Sequence, residues 1–224
     1  MVEEFHNELR KLKADVVVMG SLAREMLAKS VESMKKSDGE LANWVLSKKC
    51  QIAEMDEQIE AKALELLTLY QPMARDMRAM GCILKMITYL NRIGRYAKDI
   101  AKITVELGNK PHVNKLVSIP HMWKIVDKML DDALSAFEQE STENLQEFSE
   151  IDDDVDSMRY SIYREALSYM IENPSYITQC THYIMTARYL ERCADHGVKM
   201  AEKIIYMVEG TRVDLDPCCP VHLS

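Results

Sequence analysis

Glycine and proline are scarce in this chain, 7 and 6 of its 224 residues, so long uninterrupted elements are favoured over turn-rich sheets. No stretch approaches 18 consecutive apolar residues, so no segment is expected to span a membrane. The start, Met1-Val2-Glu3-Glu4-Phe5-His6, is acidic and has no apolar core of a secretory signal. The six cysteines, Cys50, Cys82, Cys180, Cys193, Cys218 and Cys219, form no CxxC pair. Together these features predict reduced thiols and a cytoplasmic location. No glycine-rich phosphate loop, G-x-S-x-G or H-E-x-x-H occurs, and nothing in the chain suggests catalytic turnover. Basic residues are outnumbered 28 to 36, a net charge of −8, which argues against nucleic acid as a partner because a phosphate-binding face needs clustered Lys and Arg.

What is present is helical periodicity. Apolar residues make up 47% of the chain, and 16 methionines suit the irregular gaps between packed helices. The first run reads Phe5, Leu9, Leu12, Val16, Met19, Ala23, Met26 and ends at Ser37-Asp38-Gly39. A second helix is expected from Glu40 to Tyr70, and a third from Pro72, tolerated where the first helical N–H lacks a partner anyway. The seam of the third runs Met77, Met80, Leu84, Ile87, Asn91, Gly94, Lys98, Ala101, Val105, and Gly108 stops it. A fourth helix starts at Ser118 and Pro120, a fifth follows Ser141-Thr142-Glu143, and a sixth runs from Asn173-Pro174 to Gly210. The sixth carries Ile177, Cys180, Ile184, Ala187, Glu191, Ala194, Val198, Ala201, Ile205 and Val208 along its seam.

The third and sixth runs match. Tyr89-Leu90-Asn91-Arg92 and Tyr189-Leu190-Glu191-Arg192 lie midway along each, after a proline and before a glycine. The chain therefore reads as one three-helix unit written twice. The expected fold is all-α, two tandem antiparallel three-helix bundles related by a pseudo-twofold repeat. The repeats are placed at residues 1–108 and 118–210, with a linker at 109–117 and an irregular tail at 211–224.

Glu191 occupies a seam position otherwise held by apolar side chains. A carboxylate there must be compensated by an arginine, a shared proton or a cation, since an unpaired buried charge costs several kcal/mol. Asp195 stands one turn on, and the preceding helix offers Asp152 and Asp156 at the same spacing. If the two helices pack side by side, four carboxylates could converge. All-oxygen ligation suits iron, manganese, magnesium or calcium better than a structural zinc site. The competing reading is that these acids form salt bridges with Arg159, Arg192 or Lys199. His196, beside Asp195, is a further candidate ligand, and Glu202 follows on the same helix. Cys218, Cys219 and His222 place soft ligands close together, though adjacent cysteines rarely close a site without further ligands. Glu3-x-x-His6 is half of a ferritin-like ligand pattern with no second copy on another helix.

These motifs resemble the PhoU family. Glu191-Arg192-Cys193-Ala194-Asp195 is similar to the family's Glu-x-x-x-Asp motif, and Asp152-Asp153-Asp154-Val155-Asp156 to its Asp-x-x-Val-Asp. Gln71-Pro72-Met73-Ala74-Arg75-Asp76-Met77-Arg78 looks like its link between helices two and three, and Arg92-Ile93-Gly94 retains the middle of the first-repeat motif. The resemblance covers residues 5–210. It implies a double three-helix bundle that regulates phosphate uptake negatively. It also implies docking on phosphate ABC transporter subunits at the cytoplasmic membrane face and on a signalling partner, without turnover. A homodimer is expected as well. The implied cofactor is a divalent or trivalent metal ion, such as iron, manganese, magnesium or zinc, on Asp152, Asp156, Glu191 and Asp195, with His196 and Glu202 as possible additions. The first repeat departs from the pattern, because its equivalent positions are Lys49, Ala53, Asn91 and Arg95. None is acidic and two are cationic, so at most one metal site is expected, in the second half. A metal-sensing bundle, a structural adaptor with Glu191 neutralised by arginine, and a regulator of potassium transport stay open as alternatives.

Overall fold

The computed structural model describes residues 2–113 and 118–215, and every regular element among them is helical. The long helices are α1 (Val2–Lys36), α2 (Gly39–Ser47), α3 (Lys49–Tyr70), α4 (Arg75–Leu107), α5 (Ser118–Gln139), α6 (Phe148–Glu172) and α7 (Ile177–Glu209). Single 3₁₀ turns at Leu145–Glu147 and Pro174–Tyr176 lead into α6 and α7. No helix among the described residues is long and apolar enough to cross a membrane.

Two boundaries differ from the sequence reading. The expected second helix is broken at Lys48, whose ψ of −8° closes a tight turn between α2 and α3. There the Ser47 hydroxyl donates to the Trp44 carbonyl at 2.6 Å, occupying an oxygen at the end of the helical ladder. The Trp44 ring is held under Lys29 Nζ at 3.6 Å. Pro72 does not open α4. Gln71 adopts the left-handed conformation and donates its N–H to Leu67, ending α3, and Pro72 follows that cap as prolines commonly do. Gly108 and Gly210, at φ 58° and 80°, close α4 and α7 as expected.

The helices form the two expected sets, α1 to α4 and α5 to α7, and these sets also pack on each other. α1 packs on both α4 and α5, and α7 on both α4 and α5, while α2 and α3 cover one flank and α6 the other. Buried Val16, Met19, Met86, Ile93, Met129 and Val198 thus belong to one continuous core drawn from both repeats. Gly20 makes the α1–α5 approach possible, since a Cβ there would fall 2.4 Å from Leu134 Cδ2. Gly94 does the same for α3 on α4, with Ile52 Cδ1 2.6 Å from where a Cβ would stand. The predicted seams are largely buried, but Leu84, Asn91, Lys98 and Ile184 are only half-buried, and near the ends Met77, Val105 and Ile177 stay about half exposed.

Where α4 and α7 cross, the matching tyrosines meet each other's repeat. Tyr89 stacks on His196 at 5.4 Å and Tyr96 on Tyr189 at 5.7 Å. These two contacts exchange under the repeat, so the aromatic layer marks the pseudo-twofold axis.

Candidate functional site

Glu191 sits on the inward face of α7, 7% exposed, among Ala187, Leu190 and Ala194. Its compensation comes from arginine. Arg188, one turn earlier, donates Nη1 to Oε1 at 2.5 Å. Arg159 reaches across from α6 to 3.7 Å, and Arg192 Nε stands 3.8 Å from Oε2. Oε2 itself is buried and accepts no hydrogen bond. Burial, and then the neighbouring Asp195, push the Glu191 carboxyl above its usual range, and Arg188 and Arg192 recover only part of that cost.

The other predicted acids divide. Asp195 takes Arg192 Nη1 at 2.9 Å. Asp152 from α6 lines the same open cavity as Glu191, Asp195 and His196, a space of about 580 Å³ whose opposite wall is α4. Asp156 does not line it and is 55% exposed, 3.8 Å from Arg159. Glu202 belongs to a neighbouring cavity of about 520 Å³ and is held by Lys199 at 2.7 Å and the Leu215 N–H at 3.3 Å. His196 lies in the aromatic layer with Nε2 buried and not hydrogen-bonded. Burial, then Arg92 and Arg192, lower its pKa to about 4, so the imidazole is neutral near pH 7.

As placed, Glu191 and Asp195 are turned to arginines. Among the described residues no three His, Cys, Asp or Glu side chains are grouped to hold a metal ion, and arginines stand where a cation would approach Glu191. Cys193 is fully buried and its thiol is pushed far up by desolvation, which leaves it inert. His6 faces Asp76 at 3.2 Å. Cys218, Cys219 and His222 lie outside the described residues.

In the first half, Asn91 donates Nδ2 to Asp56 of α3 at 2.6 Å. Arg95 and Lys49 are exposed and Ala53 is half-buried. With Lys49 and Ala53 aligned to Asp152 and Asp156, Asp56 falls at the position of Arg159. Acid and donor have therefore exchanged helices between the repeats: α7 carries the acid and α6 the arginine in one, α4 the amide and α3 the acid in the other. Arg188 and Asp56 were missed by sequence reasoning. Arg188, at i−3 from Glu191 on the same helix, was recoverable from spacing alone. Asp56 required the register between two helices.

The PhoU domain family model matches residues 16–104 and 119–204, one match in each half. A protein of Clostridium acetobutylicum named phosphate-specific transport system accessory protein PhoU homolog is 32% identical over 213 residues, covering 95% of this chain and 97% of that protein. A homologue of the same name from Aquifex aeolicus is 34% identical over 203 residues, covering 91% and 92%. The crystal structure of PhoU from Pseudomonas aeruginosa superposes with a TM-score of 0.88 at 30% identity, covering 92% of this chain and all of that one. The phosphate transport system regulatory protein PhoU from Streptococcus pneumoniae superposes at 0.86 with 26% identity, covering 94% and 99%.

Proposed function

This chain belongs to the PhoU family, and from that premise we propose that it is an accessory protein of phosphate-specific transport. In this reading it restrains phosphate uptake by docking on the cytoplasmic side of the transporter, and it works by binding without turnover. The observation that carries the reading is the family match in both halves, with relatives of that name covered almost end to end. A double bundle of this size has ample surface for a standard interface of roughly 800 Å² per partner. Affinity-tagged chain, recovered from gently lysed cells, is expected to bring down subunits of a phosphate ABC transporter, and its deletion to raise phosphate uptake. Recovery of no transporter component, together with unchanged uptake, would overturn the proposal.

We keep the carboxylate metal site as a separate proposal. Asp152, Glu191 and Asp195 line one cavity, which supports it. A cation engages Glu191 there only after Arg188 and Arg159 swing off it. Bound metal in protein purified without chelator is expected to fall in Asp152→Ala and in Glu191→Ala. Equal metal content in both variants and the parent would remove the site.

A further inference from the structure

We propose that the cleft between α4 and α7 binds a protonated phosphate group, held by Lys85 and Arg92 and selected by Glu191.

Lys85, Thr88 and Arg92 are spaced i, i+3, i+7 on α4, so they share a face, and all three line the cavity that Glu191 lines from α7. Their charge is not already spent. Among the described residues neither Lys85 nor Arg92 has a carboxylate within ion-pair distance, although the chain as a whole is at −8. On the facing wall the cations are engaged: Arg192 with Asp195 at 2.9 Å, Lys199 with Glu202 at 2.7 Å.

The departure of the first repeat explains the difference. Arg192 finds its acid three residues on, at Asp195. Arg92 is its repeat equivalent, and three residues on it meets Arg95. Changing an acid to arginine at that one position leaves Arg92 without its local partner on the cavity wall. The altered first half is therefore a source of positive charge for an anion, where the second half spends its arginines on its own acids.

Glu191 supplies the selectivity. Its side chain lines this cavity, and its buried Oε2 lacks a hydrogen-bond donor. Phosphate near neutral pH retains at least one O–H, which can donate to the Glu191 carboxylate while its other oxygens accept from Lys85, Arg92 and Thr88. Sulfate has no proton to offer and would set an oxygen against a carboxylate. Asp152 and Asp195 also line the cavity, which further disfavours a fully ionised polyanion. Free inorganic phosphate meets this requirement, whereas a monoester, with its second pKa near 6, is mostly without an O–H near neutral pH.

The test is calorimetric titration of the full chain in EDTA, so that no metal bridges ligand to carboxylate, with inorganic phosphate, AMP and sulfate as separate ligands. Saturable binding of inorganic phosphate is expected, with sulfate about tenfold weaker or worse, the scale of one charge-assisted hydrogen bond. AMP, mostly without an O–H near neutral pH, is expected to bind more weakly than inorganic phosphate, and AMP binding as tightly would overturn the role given to the O–H. Arg92→Gln, and Arg95→Asp, which restores the acid found at Asp195, are each expected to weaken binding about tenfold. Both positions are exposed, so folding is retained and is checked by circular dichroism. Glu191→Gln can donate as well as accept, and should narrow the gap between phosphate and sulfate. No saturable binding of inorganic phosphate, sulfate binding as tightly as phosphate, or unchanged affinity in Arg95→Asp would each overturn the proposal. Capture of transporter subunits is measured separately, so either reading can fail while the other stands.

Discussion

Glu191→Met is expected to stabilise the chain at neutral pH by about 1–4 kcal/mol, the range seen when buried ion pairs give way to apolar side chains of similar volume. Glu191 is buried among small apolar residues, and only the Arg188 contact, at 2.5 Å, is short. Arg159 and Arg192 stand off at 3.7 and 3.8 Å, and Oε2 accepts no hydrogen bond. Methionine fills the same space without desolvating a charge. The arginines left behind are 32–45% exposed and keep much of their water, so their loss of a partner costs little.

The sign of the pH dependence follows from the raised Glu191 carboxyl. The folded chain holds that proton more tightly than the unfolded chain does. Stability from this group is therefore highest below the ordinary value of 4.5 and declines as pH rises through the raised folded value. The gain of Glu191→Met over the parent should be small in acid and full at pH 7.5. Urea unfolding at both pH values measures it, and a variant less stable than the parent at pH 7.5 would show that the arginines more than compensate burial. A buried acid that lowers stability is the usual sign of a residue kept for binding.

The sequence carried the helices and the anomaly at Glu191, because both are periodic features. A 3.6-residue stripe is visible without any knowledge of neighbours, and so is one acid in it. Scarce glycines and prolines marked most of the ends. Lys48 was missed because the break in α2–α3 depends on hydroxyl and cation contacts around Trp44, which no hydrophobic pattern encodes. Pro72 was misplaced by a few residues because proline follows helix caps as readily as it opens helices.

What compensates Glu191 was only half legible. Arg159 and Arg192 stood among the expected partners, and the closest, Arg188, did not. Rotation of α6 against α7 decides whether four acids converge or turn to arginines, and a single-helix period carries no information about that register. Asp152 and Glu191 share a cavity while Asp156 faces outward. The exchange of Asp56 for Arg159 between repeats was hidden for the same reason, since it becomes visible only once α3 lies on α4.

The shared core predicts that a defect in one repeat is felt in the other. Phe137 is completely buried on α5. Phe137→Ala is expected to cost about 3–5 kcal/mol, transfer and cavity terms together. The chain's two tryptophans, Trp44 and Trp123, fall one in each repeat, so chains carrying Trp44→Phe or Trp123→Phe report each half by fluorescence. Because α5 packs on α1 through the Gly20–Leu134 approach, with Arg24 of α1 on Asp127 of α5 at 3.0 Å, the Phe137 cavity lies in a layer both repeats need. Trp44 and Trp123 should therefore lose the same amount of unfolding free energy and shift together in denaturant. If the Trp123 midpoint falls while Trp44 holds its parent value, the repeats unfold as separate domains and the common core is no cooperative unit. Equal shifts would mean that a contact on either flank, including one made at the α4–α7 cleft, is transmitted through a single packed body, which is what a binding-driven regulator requires.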